Sequence, residues 1–207
     1  MKLREVILKS IIVILITTLP ASALTITAND DVTTRGTSGT NYNNTSVFGL
    51  LVKGTVDFGW IEFTLGDVEA MDASLELYNY WADTGALDVR VRAAAFEFDE
   101  TLLTGANKPD TTAWPIVVDP FPVTDAGNFS LDVTGFYNAH LGDTVTFKLE
   151  GLAGGSGDGP IFVDREGTNG QDPALGPRLD VTPIPEPSCL LLMSLGAGLL
   201  ARRRRAK

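Results

Sequence analysis

An all-β fold of two packed antiparallel sheets is what the sequence predicts for residues 24–182 of this 207-residue chain. Three observations predict it. Apolar and polar residues alternate over short runs, the period-two signature of strands with one buried face. Clusters rich in Gly, Asn, Asp and Pro separate those runs. Only one stretch, near residue 134, has the look of a helix. Many short strands with one-sided apolar faces bury them most simply by stacking sheet on sheet, as a β-sandwich.

Taken in order, Ile61, Phe63 and Leu65 form the first stripe. Ala73, Leu75 and Leu77 then alternate with Ser74, Glu76, Tyr78 and Tyr80. After the turn Ala82-Asp83-Thr84-Gly85, Leu87, Val89 and Val91 alternate with Asp88, Arg90 and Arg92. These two runs read as a β-hairpin with one aliphatic face and one polar or aromatic face. Phe129, Leu131 and Val133 make another stripe, as do Val145, Phe147 and Leu149. Ile161 with Val163, and Leu179 with Val181, close the series. Turn clusters cover 36–44, 105–110, 151–159 and 167–176. Residues 134–141 read as a short helix ending before Gly142. Trp60 and Trp114 read as core aromatics, and neither an internal repeat nor a second core is apparent.

Both ends of the chain are apolar and are excluded from the fold. Lys2, Arg4 and Lys9 flank the run Ile11 to Leu19, and Ala21-Ser22-Ala23 follows. A positive start, a short apolar stretch and an A-x-A site predict a signal peptide over 1–23, removed by signal peptidase after Ala23. At the other end, 183–187 is proline-rich and extended. An uncharged run from Cys189 to Ala201 follows, then Arg202, Arg203, Arg204, Arg205 and Lys207. An apolar helix closed by cations predicts a membrane segment with its basic end in the cytoplasm. Its thirteen residues rise only about 20 Å, short of the roughly 30 Å hydrocarbon core, which suits a transient tether.

Charge narrows the functions available. Residues 24–187 retain 8 of the 16 basic and 25 of the 26 acidic residues, a net charge of −17. Nucleic acid and anionic membranes are excluded as partners, because phosphates need a basic footprint. The chain's one cysteine, Cys189, lies in the C-terminal apolar run, so neither disulfides nor thiol chemistry can support the domain.

The end of the chain, Pro185-Glu186-Pro187, a short apolar helix and an arginine cluster in that order, resembles the PEP-CTERM sorting signal of exported bacterial proteins. The resemblance implies processing by an exosortase, a membrane transpeptidase, and delivery to the cell envelope or extracellular matrix. Residues 183–207 are therefore assigned to sorting. The domain itself resembles the DNRLRE-type domain, which overlaps carbohydrate-binding module family 96. The matching segments are Asn41 to Asn44, Val47 to Lys53, Trp60-Ile61-Glu62-Phe63-Thr64-Leu65, Ala73-Ser74-Leu75-Glu76-Leu77-Tyr78 and Leu131-Asp132-Val133-Thr134-Gly135. Phe98, Glu100, Thr104 and Pro109 keep a further family spacing, and Asp164-Arg165-Glu166 with Pro177-Arg178-Leu179 match the family's ending. The resemblance implies a jelly-roll sandwich. Three departures stand out: Phe98 and Gly105 occupy the places of two tryptophans, and Gly59 that of a basic residue.

Catalysis is not expected. His140 is the only histidine, on the predicted short helix, and no nucleophile motif such as G-x-S-x-G is present. Sugar rings stack on exposed aromatic faces while polar groups take the hydroxyls. Tyr80 and Trp81, with Arg90 on the neighbouring strand of the predicted hairpin, are accordingly the carbohydrate-binding candidates. Asn29, Asp30, Asp31, Asp158, Asp164 and Glu166 offer the oxygen ligands calcium prefers, and Asp164 with Glu166 are the candidates for a structural Ca2+. The expected role is non-catalytic binding within extracellular polysaccharide. A structural matrix protein is the second reading and a polysaccharide lyase or hydrolase the third.

Overall fold

The computed structural model describes residues 22–42, 49–83, 87–152 and 159–184. The chain divides into two compact units, one of Ala23–Thr182 and one of Met1–Ser22 with Pro183–Lys207. Nearly all of the second unit lies outside the described residues. So do Ala21, Pro185, Glu186, Pro187 and Arg202 to Arg205, together with the predicted leader and sorting helix. Among the described residues, no helix is long and apolar enough to cross a membrane.

The unit Ala23–Thr182 is a β-sandwich. Its strands are β1 (Leu24–Thr27), β2 (Asp30–Arg35), β3 (Leu50–Leu51), β4 (Asp57–Thr64), β5 (Ala70–Asp83) and β6 (Leu87–Ala94). They continue with β7 (Ile116–Val123), β8 (Gly127–Asp132), β9 (Thr144–Gly151), β10 (Gly159–Phe162) and β11 (Arg178–Pro183). One sheet runs β1-β11-β5-β10-β3, with β8 also paired to β5. The other runs β2-β4-β9-β6-β7. Leu24 pairs with Val181, so the two ends of the unit lie side by side.

Between the sheets lies one apolar core. Leu75, Leu77, Phe162, Leu179 and Val181 enter it from the six-stranded sheet, and Ile61, Phe63, Val89, Val91, Val145, Phe147 and Leu149 from the five-stranded one. Phe63 and Phe147 meet edge to face at 5.8 Å, and Phe136 packs on Phe147 at 5.4 Å. Each such side chain contributes about 1.5–3 kcal/mol through burial.

The predicted hairpin is not formed. The run Ala73–Leu77 belongs to β5, which pairs with β8 and β10, whereas the run Leu87–Val91 belongs to β6, which pairs with β7 and β9. The chain crosses from one sheet to the other between them. Two apolar stripes can be buried side by side or face to face, and alternation alone does not choose. Here they face each other across the core. In β10 the inward residue is Phe162, fully buried in the core, rather than Ile161 and Val163.

The helix α1 spans Thr134–Ala139, shorter than predicted. Gly142 then turns the chain at φ +76°, where a side chain would be strained. Asn138 clamps α1 to the start of β5 by accepting from Ala70 N (2.8 Å) and donating to Ala70 O (2.9 Å).

A second apolar cluster, which the sequence reading did not anticipate, covers the outer side of the five-stranded sheet. Phe98 and Leu103 from segment 95–115 pack on Val32, Phe58 and Trp60, joined by Phe96 and Trp114. Glu62 accepts from Phe98 N at 2.8 Å and Thr146 Oγ1 donates to Phe96 O at 2.5 Å, which pins the segment down. Trp60 is fully buried, donates its indole N–H to Thr34 Oγ1 at 2.8 Å and meets Trp114 edge to face at 6.0 Å. Strand β4 is consequently buried on both faces. Trp60→Ala is expected to cost about 3–5 kcal/mol in urea unfolding, as much as Phe147→Ala in the main core. A loss below about 1 kcal/mol would mean that 95–115 is not packed on the sheet.

Candidate functional site

Strand β5 carries its aliphatic stripe inward, so Asp72, Ser74, Glu76, Tyr78 and Tyr80 point to the outer face of the six-stranded sheet. Opposite Tyr78 and Glu76 on β8 stand Asn128 and Ser130, with Ser130 donating to Glu76. Near its end β5 is bulged. Phe162 pairs with Asn79 and Ile161 with Trp81, leaving Tyr80 without a partner residue on β10. Two residues of one strand then oppose a single step of the other, and the alternation of side chains breaks. Phe162 and Asn79 point inward, so Ile161 and its partner Trp81 point outward, beside Tyr80.

The bulge thus sets two consecutive aromatic side chains on one face. Trp81 is 51% exposed, the one aromatic among the exposed large apolar side chains described. Tyr80 is half-buried, with its ring beside Gly49 and its hydroxyl buried without a protein partner among the described residues. Asn79 holds this geometry. It is fully buried, its Oδ1 accepts from Ile161 N at 3.1 Å, and its Nδ2 donates to Asp125 O at 3.0 Å. A polar residue continuing the inward series Ala73, Leu75, Leu77 was the signal in the sequence that could have located the bulge.

Arg90 is not part of this surface. It projects from β6 on the outer side of the other sheet, where it donates to Glu150. Arg92 Nε reaches the same Glu150 oxygen at 2.7 Å, and Lys148 Nζ reaches the other at 2.9 Å. Lys148 also lies 3.9 Å over the Phe58 ring and donates to Thr111 Oγ1 at 2.8 Å. Burial works against the Glu150 charge, but the hydrogen bonds from Lys148 and Arg92 overcome it and hold this carboxyl below its ordinary range.

Asp164 and Glu166 lie in the connection after β10. Asp164 Oδ1 accepts from Thr168 N at 2.7 Å, and Glu166 Oε1 accepts from Arg165 Nε at 2.8 Å. Glu166 Oε2 and Thr168 Oγ1 are buried without partners. The Arg165 guanidinium also reaches Glu100 at 2.9 Å and Asp30 at 3.5 Å, so a positive charge already sits among these carboxylates. Asp31 is almost completely buried and accepts from Arg165 N at 2.7 Å. Among the described residues no three acidic, histidine or cysteine side chains are arranged to hold a metal ion. Asp158 lies outside the described residues. Burial pushes the Asp31 carboxyl well above its ordinary range against the Arg165 N–H, and the charges of Glu166 and Asp164 add to the rise.

The two carboxyls respond oppositely to pH. Folding favours protonated Asp31, so the stability this carboxyl lends is present at low pH and is lost as pH rises above the ordinary carboxylate range. Asp31→Asn is expected to raise Tm at neutral pH, with the gain closing as pH falls below the ordinary carboxylate range. Folding favours charged Glu150, so Glu150→Gln should lower Tm at neutral pH, with a penalty that fades on acidification. A lowered Tm for Asp31→Asn at neutral pH would instead show that this carboxylate is charged and needed. No protein-family model and no curated protein sequence matches this chain, so a functional reading rests on its residues and their geometry.

Proposed function

We propose that this chain is an exported, non-catalytic jelly-roll sandwich that binds polysaccharide through the outward pair Tyr80 and Trp81. The observation that carries the reading is the bulge, which places two adjacent aromatic side chains on one solvent-facing surface. Adjacent rings on one face offer a sugar more stacking area than either alone.

Strand order supports the jelly roll. Strands β3-β10-β5-β8 and β4-β9-β6-β7 interleave as two four-stranded layers, the double Greek-key order. The resemblance to the DNRLRE-type domain gains support from contacts between its matching segments. Glu100 and Arg165, from two distant family patterns, form an ion pair at 2.9 Å. Where that family has a second tryptophan, Gly105 lies so close to the carbonyls of Arg35 and Gly36 that a side chain would collide with them. His140 bonds to Asp143 at 3.2 Å and stacks on Phe136, in keeping with a packing role on α1.

In this reading signal peptidase removes the leader and an exosortase processes the C-terminal signal. The sandwich passes through a transient membrane-tethered stage to the envelope or matrix. A structural calcium at Asp164 and Glu166 would serve stability rather than binding: a chelator that lowers Tm supports it, and an unchanged transition retires it.

Retention on immobilised polysaccharides tests the binding reading. Tyr80→Ala with Trp81→Ala is expected to weaken retention about tenfold or more, the loss of an aromatic anchor. Arg90→Ala, on the opposite face, should leave retention unchanged. Equal retention of all three proteins would abandon this surface and favour a structural role in the matrix.

A further inference from the structure

Resting on the calcium reading above, we infer that the ion is held by four side chains: Asp164, Glu166 and Thr168 from the connection after β10, and Asp31 from β2, which Arg165 N joins to that connection. What points to a ligand is a set of oxygens without donors. Asp31 is 2% exposed, Asp164 4% and Thr168 7%, so water does not freely serve them. Each carboxylate is reached by a donor at one oxygen only. Arg165 N donates to Asp31 Oδ2 at 2.7 Å, Thr168 N to Asp164 Oδ1 at 2.7 Å, and Arg165 Nε to Glu166 Oε1 at 2.8 Å. Glu166 Oε2 and Thr168 Oγ1 are buried without any partner among the described residues. The Thr168 N–H on Asp164 keeps that hydroxyl close to the carboxylate.

Buried acceptors left over in this way call for a proton, a water or a cation. A proton or a water answers one or two oxygens and leaves the mutual repulsion of the carboxylates in place. A cation answers both. The Arg165 guanidinium does not fill the role, because it is engaged by Glu100, Asp30 and the other oxygen of Glu166. The donor set is oxygen alone, which selects a hard ion. Calcium accepts irregular sets of carboxylate and other oxygens, whereas magnesium demands a near-ideal octahedron. As they stand, the three carboxylates are not gathered on one point among the described residues. Binding would therefore draw the loop 164–168 and β2 together, segments 134 residues apart at Asp31 and Arg165. It would staple them where Arg165 also meets Glu100 of segment 95–115.

Calorimetric melting of the purified protein decides this, in EDTA, in Ca2+ and in Mg2+ at equal concentration, beside Asp31→Asn and Thr168→Val. Ca2+ at a hundredfold excess over Kd is expected to raise Tm over its value in EDTA by about 5–10 °C, and Mg2+ by less than about half of that. Each variant is expected to keep at most about half of the calcium gain. Thr168→Val removes only the unpartnered hydroxyl, and Asp31→Asn only a charge, so both preserve side-chain volume. Each gain is a difference within one protein, so a variant's lower or higher baseline does not obscure it. An undiminished gain in both variants would overturn the four-side-chain set and leave calcium at Asp164 and Glu166 standing. No gain from Ca2+, or an equal gain from Mg2+ as general charge screening gives, would overturn the calcium reading itself.

Discussion

The sandwich depends on two apolar stripes meeting face to face instead of lying side by side. Leu75 and Leu77 on β5 and Val89 and Val91 on β6 close a single core from opposite sheets, and the chain crosses between the sheets to let them do so. Burial of this kind is the main favourable term in folding, and it is indifferent to which polar residues are left outside. Everything on the outward positions of β5 is thereby placed on one surface, and everything on the outward positions of β6 on the other. Tyr80, three residues before the end of β5, and Arg90, three residues after the start of β6, therefore stand on opposite surfaces of the sandwich.

The two surfaces then diverge. One is covered by segment 95–115, which brings Phe98 and Leu103 onto Phe58 and Trp60 and surrounds the buried Lys148 and Glu150 with partners. The other is, among the described residues, mostly polar except where β5 is bulged. Burying Asn79 would cost a few kcal/mol if its amide were left unpaired. Its hydrogen bonds to Ile161 and Asp125 offset that cost and, by joining both flanking segments, hold the irregularity in place. A buried polar residue that shapes an outer face connects the core to the candidate site.

Much of this was legible in the residues. The stripes at Ile61, at Ala73 to Leu77, at Leu87 to Val91, at Phe129 to Val133 and at Val145 to Leu149 each name a strand or its end, because alternation reports one-sided burial directly. Tyr78 and Tyr80 point away from the aliphatic stripe as that alternation requires. What was not legible was pairing. The hairpin drawn from β5 to β6 assumed that neighbours in sequence pair, and so placed Arg90 beside Tyr80. Trp81 was named beside Tyr80, yet strict alternation would send it inward, and only the irregularity after Asn79 turns it to the same face. The contact of Glu100 with Arg165 joins segments 65 residues apart, a proximity no local pattern encodes. The close approach of Gly105 to the 35–36 backbone is likewise a tertiary event.

Arg90, Arg92 and Lys148 gather around Glu150 on the side away from Tyr80 and Trp81. Hydrogen–deuterium exchange in the presence of a bound polysaccharide reads the location of binding without any substitution. Protection confined to residues 76–83, 127–130 and 159–163 is what this arrangement requires. Protection concentrated instead on 88–94 and 146–151, the strands that carry Arg90 and Glu150, would place the ligand on the opposite face and refute the assignment of Tyr80 and Trp81.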